Sequence, residues 1–344
     1  MKRAGKLLAI LGALACLSGC GTPIPEASTP YNGTGTDCVV EADDYYILRG
    51  ENTMVVEKAT GKKYPLVNDP LEAETAPITP GNFKTCGNVV YFLWSDEAYT
   101  PIVYSLDLDT GERRTLFTDR EKGREIQLFD VTIWKEKIPL HHYGSDSLKD
   151  FFLLEGQLVL IRGDAITRYD GRRETPLYEG KTDDVTTDGR RVFFTDEKGV
   201  LCRLDTAGEL TRFPDCRPVQ PAVVGDKAYF LDPYAGNSFA AFDLESQEQR
   251  TVLPGEWKSF TTDGEGFLLT DKTGAAFYAH PDGTDYYRVA SPDAFDEAVL
   301  LDGGENIAFI SYDPSASSPV QILPNSPWNG ERFHLGHNSG RNKK

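Results

Sequence analysis

Few residues in this sequence have both the type and the spacing that chemistry needs. His141 and His142 stand side by side, with Tyr143 and Asp146 close behind. Imidazoles and a carboxylate in one loop could hold a ligand. On a strand, however, neighbouring side chains point to opposite faces, so the two His converge only if a loop carries them. Gly144-Ser145-Asp146-Ser147 approaches a nucleophile elbow but lacks its second Gly. The phosphate-cradling patterns G-x-G-x-x-G and G-x-x-x-x-G-K are absent. Asp107-Leu108-Asp109-Thr110-Gly111 and Asp183-Asp184 could offer oxygen ligands to calcium. Neither completes a calcium loop, and the first is also ordinary hairpin chemistry. His280 stands where sister segments end in Asp, which suits a turn; His334 and His337 lie in a polar, basic tail. Trp94, Trp134, Trp257 and Trp328 could stack on sugars, yet Trp in β proteins more often fills a core.

The thiols depend on what precedes them. Lys2, Arg3 and Lys6 open the chain, and Leu7 to Leu17 is then apolar apart from small residues. A helix of that length spans about half a bilayer core, which fits an export signal and is too short to cross. Leu17-Ser18-Gly19-Cys20 follows directly and resembles the bacterial lipobox. The resemblance implies a diacylglycerol on the Cys20 thiol after removal of residues 1–19, and acylation of the new N-terminus. Multiple acyl chains hold a membrane far more firmly than one, at about 0.8 kcal/mol per buried methylene. Residues 20–37, rich in Pro, Thr and Gly, then read as a flexible tether. Of six Cys, Cys16 leaves with the leader and Cys20 takes lipid. Cys38, Cys86, Cys202 and Cys216 remain as disulfide candidates, with Cys202–Cys216 and Cys38–Cys86 the favoured pairs and free buried thiols the alternative. No C-x₂-C pair exists to suggest zinc.

Composition narrows the class. Phe and Tyr are plentiful at 18 and 16, Gly and Pro number 32 and 21, and Met only 2, a mix that suits many short strands joined by tight turns. The formal net charge is −17; without the leader, 33 basic residues face 53 acidic ones, a net of −20. Such a body repels nucleic acid and anionic lipid, and basic ligands, cations or neutral sugars fit it better.

The elements that must position these residues repeat. Asp184-Val185-Thr186-Thr187-Asp188-Gly189 returns as Ser259-Phe260-Thr261-Thr262-Asp263-Gly264, and each leads to an apolar run ending in Thr-Asp, VFFTD at 192–196 and FLLTD at 267–271. Between them, PAVVGD at 221–226 leads to AYFLD at 228–232. A strand, polar turn and strand follow each: VLCRLDTAGELTRF, FAAFDLESQEQRTVL and AAFYAHPDGTDYYRV. One unit is thus four short strands in about 35–40 residues, the period of a propeller blade. Weaker copies extend outward, so that seven second strands begin near 45, 90, 158, 192, 228, 267 and 307. The step from 90 to 158 is too long for one unit. It holds residues 119–155, read as one inner strand plus a loop insertion of about 25–30 residues, or an irregular extra blade. The insertion contains His141, His142, Tyr143 and Asp146, the ligand-binding guess. No amphipathic helix is evident beyond the leader.

DGRRVFFTD at 188–196, LCRLDTAGEL at 201–210 and VYSLDLDTGERRTL at 103–116 resemble the divergent propeller repeats of TolB-like and related bacterial surface proteins, over about residues 38–323. The resemblance implies an all-β propeller of about seven four-stranded blades, six or eight being the alternatives, across residues 38–324; the polar, basic stretch 325–344 reads as a disordered tail. These are scaffold motifs, and the fold hosts binders, scaffolds, hydrolases and lyases, so no catalytic residue carries over. The sialidase Asp-box is absent. The expected function is a monomeric binding or interaction module, lipid-anchored on the extracytoplasmic face of the cell membrane, with a protein, peptide or sugar partner, no nucleic acid and no cofactor beyond the calcium option. The alternative is a hydrolase or lyase on sugars or peptides.

Overall fold

The computed structural model describes residues 24, 39–49, 53–66, 81–95, 100–119, 126–128, 131–134, 148–289, 291, 295–311, 320–328 and 333–334. They form seven consecutive antiparallel sheets whose strands follow chain order. Blade 1 runs from Val39–Glu41 to Lys63–Pro65 and blade 2 from Gly81–Cys86 to Arg113–Thr118. Blades 3, 4 and 5 begin at Leu148–Leu154, Asp183–Thr187 and Val219–Val224 and end at Glu174–Glu179, Leu210–Phe213 and Gln249–Leu253. Blade 6 runs from Trp257–Thr262 to Asp285–Arg288, and Phe333–His334 adds a fifth strand to its edge. Blade 7 has three described strands, Glu297–Leu301, Asn306–Ile310 and Val320–Pro324. Between blades 2 and 3 the described residues form a two-stranded hairpin, Ile126–Leu128 with Val131–Trp134. The stretch read as a tail from 325 carries that added strand and a bridge from Pro327 to Val289. The only helix among the described residues is a single 3₁₀ turn, Pro233–Ala235.

The second strands begin at Tyr45, Val89, Gln157, Val192, Lys227, Phe267 and Asn306, within one residue of where the apolar runs place them. Their composition has a physical cause: each blade is covered on both faces. Phe193 packs toward blade 5 while Phe194 packs toward blade 3. Leu160 faces blade 2 and Val159 faces blade 4. A strand buried on both sides reads as a continuous apolar run.

Seven apolar clusters fill the seven junctions. Six join successive blades, and the seventh, Val39, Leu301, Ala308 and Ile310, joins blade 7 back to blade 1. A polar latch supports that last junction. Lys58 Nζ lies 2.5 Å from Glu41 Oε1 and 3.0 Å from Asp302 Oδ1. Tyr46 and Asn306 donate to Asp302 Oδ2 at 2.5 and 2.8 Å, and the Asp302 amide donates to Glu41 Oε2 at 2.8 Å. The ring therefore closes by side-chain contact between its two ends. Ile24, the one described residue upstream of blade 1, packs into the cluster between blades 2 and 3.

Much of the acidity serves the turns. Asp107, Asp170, Asp205 and Asp243 each begin the turn between third and fourth strands, and each carboxylate accepts two backbone N–H groups just ahead. Asp188 and Asp263 do the same between first and second strands. An Asp side chain folding back on its own backbone reverses the chain without a partner strand.

Candidate binding site at the channel mouth

The first strand of each blade is innermost: inner strands touch between blades 1 and 2, 2 and 3, 4 and 5, and 6 and 7. Antiparallel order puts the start of every inner strand at one end of the ring. The connections between second and third strands, and between one blade and the next, meet at that same end. The turns built on Asp107, Asp170, Asp205 and Asp243 lie at the other.

At this mouth five consecutive blades break their ladders in the same place. In blade 2, Gly81 faces Leu93 and Lys84 faces Tyr91, so Asn82 and Phe83 oppose Phe92 alone. In blade 4, Asp184 and Val185 oppose Phe194; in blade 5, Gln220 and Pro221 oppose Phe230. Blades 3 and 6 carry the extra residue at Lys149 and Lys258. Blade 7 pairs its first two strands without a shift, as does blade 1. A bulge re-aims side chains and increases local twist. Asn82, Asp184 and Gln220 adopt φ of 53°, 48° and 52°, left-handed values that cost non-Gly residues about 1 kcal/mol or more. Ladder pairing does not require that strain. The five bulges set polar side chains at the mouth: Lys149, Asp184, Gln220 and Lys258 are exposed, and half-buried Asn82 donates from blade 2 to the Lys149 carbonyl of blade 3.

The charges there are shaped by their setting. Asp184 is exposed; desolvation by neighbouring protein, reinforced by the Asp183 charge and opposed by a hydrogen bond with Thr195, raises its carboxyl above the ordinary range. Lys181 Nζ pairs with Asp183 at 2.6 Å. Lys84 is buried between blades 2 and 3, where Asp150 Oδ1 meets its ammonium at 3.1 Å and Phe151 and Phe152 lie within cation–π range. Arg162 binds Asp119 through two bonds, of 2.8 and 3.0 Å, and Leu148 registers opposite Arg162. Asp119 and Leu148 are the two stems of the insertion, so both stand on one residue at the edge of the mouth.

The expected site residues fare unequally. Cys20, Cys38, His141, His142, Tyr143 and Asp146 lie outside the described residues. The favoured Cys202–Cys216 pair is not formed: both thiols are free and buried. Cys202 packs toward blade 3 and Cys216 toward blade 5, on opposite faces of blade 4. Burial, with smaller help from Asp196 and Asp232, pushes them up to about 11 and about 12, so neither is a ready nucleophile. Cys86 is free and half-buried, and its favoured partner Cys38 lies outside the described residues. Asp107 is engaged by the amides of Asp109 and Thr110, and Asp109 by Asn88 and Tyr45, which is turn and packing chemistry. No group of three or more potential metal-ligating side chains occurs among the described residues. His280 sits at a turn, its Nδ1 2.9 Å from Asp282. Trp94 and Trp257 are buried, and Trp328 is exposed under the Arg288 guanidinium. Of the bulge residues, only Asp184 stood out in the sequence, as a possible calcium ligand beside Asp183 rather than as part of a rim. Their one signal is a polar residue, Asn82, Asp184 or Gln220, at the second position of an inner strand.

No protein family and no curated protein matches the sequence. Solved structures do match. One from a mechanistic study of two prolyl endopeptidases aligns with 94% of this chain and 53% of its own, at 14% identity and a TM-score of 0.57; this chain spans about half that protein. YCF48 bound to D1 peptide aligns over 84% of this chain and 97% of its own, at 11% identity and a TM-score of 0.50. TolB from Acinetobacter baumannii aligns over 79% and 65%, at 15% identity and a TM-score of 0.40, too loosely to carry an argument. At such identities a likeness speaks for the fold alone, and that fold is a seven-bladed β-propeller.

Proposed function

We propose that this chain is an extracytoplasmic, lipid-anchored binding module that grips a protein or peptide at the channel mouth. The observation that carries the reading is the bulge repeated in five successive blades, which sets polar side chains at one end of the ring and in three of the blades carries backbone strain. Strain kept at one surface, at residues such as Gln220 that are exposed, points to use of that surface. YCF48, with the same architecture, has been captured with a peptide, which illustrates that such a ring can hold one. The basic leader, the apolar run and Leu17-Ser18-Gly19-Cys20 support export and anchoring at Cys20.

The test is photocrosslinking in the producing cells. A photoreactive residue is placed at Lys149, Gln220 or Lys258 at the mouth, and at Thr110, Ala207 or Ser246 on the opposite rim. Adducts with a protein are expected from the mouth positions. Adducts confined to the opposite rim, or none from the mouth, would overturn the reading. For the anchor, Cys20→Ala is expected to move the protein from the detergent to the aqueous phase.

A further inference from the structure

Blade 5 differs from its neighbours at the mouth. In blades 4 and 6 the turn between second and third strands is a short loop on one Asp. Asp196 accepts the Lys198 and Val200 amides, Asp271 those of Thr273 and Ala275, and Gly199 or Gly274 closes the turn. Blade 5 begins alike, with Asp232 Oδ1 accepting the Tyr234 amide at 2.9 Å. The loop then runs longer. Pro233–Ala235 makes a 3₁₀ turn, Gly236 and Asn237 take φ of 68° and 60°, and the Asn237 amide returns to the Asp232 carbonyl at 2.8 Å. Gln249 Nε2 holds the second Asp232 oxygen at 2.8 Å, Ser238 Oγ donates to the Ala235 carbonyl at 2.7 Å, and the Trp257 amide of blade 6 donates to the Asn237 carbonyl at 3.2 Å.

This fixed tip carries an aromatic ring into water. Tyr234 takes the place of Lys198 and Thr273 and is 80% exposed; Val219, paired with Leu231 beneath the turn and adjoining the Gln220 bulge, is 41% exposed. An apolar ring held rigid in solvent adds nothing to the core, but loses little entropy on binding and makes an effective anchor. The surroundings are acidic. Connections 180–184, 196–200, 214–220, 232–237, 254–258 and 271–275 hold eight acidic residues against five basic ones. Lys181 and Lys272 are already paired with Asp183 and Glu256. No basic side chain among the described residues pairs with Asp184 or Asp215, and both are exposed.

Resting on the function proposed above, we infer that Tyr234 and Val219 anchor an extended segment of a partner protein that carries a lysine or arginine beside an apolar side chain. The apolar group packs on the Tyr234 ring and Val219, and the cation meets Asp184, Asp215 and the rest of the acidic rim.

The probe is a random peptide library displayed on phage, selected against the full exported chain, with the selected peptides then synthesised and titrated. Expected peptides carry a basic residue near an aromatic or branched apolar one. Their affinity should fall about tenfold or more for Tyr234→Ala and less for Val219→Ser, and severalfold in high salt. Tyr234 is exposed, so its variant retains the fold, which far-UV circular dichroism verifies. Peptides that lose affinity for Gln220→Ala or Lys258→Ala but not for Tyr234→Ala would overturn the blade 5 anchor and leave the mouth as the binding face. Acidic or uncharged peptides that depend on Tyr234 would overturn the partner chemistry. Failure to enrich any peptide sensitive to a mouth substitution would count against both this inference and the function it rests on.

Discussion

Asp302→Ala should loosen the ring at its one non-sequential junction. The Asp302 carboxylate receives Lys58 at 3.0 Å, Tyr46 at 2.5 Å and Asn306 at 2.8 Å, and is 21% exposed. Hydrogen bonds to a charged acceptor contribute about 1.5–3 kcal/mol each. The three do not add fully, because Lys58 keeps Glu41 at 2.5 Å and water replaces part of what is lost. A net loss of about 2–3 kcal/mol at neutral pH is the reasonable expectation. Asp302 also holds φ at 53°, which Asp tolerates better than Ala, so Asp302→Asn isolates the charge and should lose about half as much. The effect has a pH signature. Burial alone would raise this carboxyl, but hydrogen bonds from Tyr46, Asn306 and Lys58 outweigh it and hold the group at about 2. An unfolded Asp titrates near about 3.9. The folded group is the stronger acid, so its contribution is complete above about pH 4 and fades as pH falls toward 2. Urea unfolding of wild type and variant at pH 7 and pH 3 measures the difference. Equal midpoints at pH 7, or a gap that does not shrink on acidification, would refute the reasoning.

Other consequences are as concrete. Asp150→Asn should destabilise by about 2–4 kcal/mol, because the Lys84 side chain, 2% exposed, keeps a buried charge without its counterion; Lys84→Met should cost less, and thermal unfolding compares the two. Asp196→Ala should cost about 2 kcal/mol and Asp196→Asn under about 1, since Asn keeps an acceptor for the Lys198 and Val200 amides. Gly283→Ala should unfold at lower urea, because a Cβ there would lie 2.7 Å from the Val252 carbonyl and φ is 73°. Cys202 and Cys216 should resist a thiol reagent at pH 8 until urea is added, and a non-reduced digest should contain no peptide linking them.

The blades were legible because burial on both faces leaves runs such as Val192 to Thr195 and Phe267 to Asp271 unmistakably apolar, and because Asp and Gly punctuate the turns. The disulfide proposal failed because loop length says nothing about which face a side chain takes: Cys202 and Cys216 are near in sequence yet separated by the thickness of a sheet. The mouth was hidden for a related reason. A bulge shows only in the pairing of two strands, so Asn82 and Gln220 carry no mark in the sequence and Asp184 reads as one more acidic residue until the register is known. Tyr234 hid in plain sight, since Pro-Tyr-Ala-Gly reads as one more turn and only its exposure sets it apart.

Everything proposed for the mouth depends on a circle that shuts. A carbodiimide joins an amine to a carboxylate only where the two already touch, and Lys58 contacts Asp302 across 244 positions of sequence. Mass spectrometry of the carbodiimide-treated monomer should therefore find a peptide from blade 1 joined through Lys58 to one from blade 7 through Asp302. Its absence, alongside efficient linkage of pairs such as Lys272 with Glu256, would contradict closure and the binding face built on it.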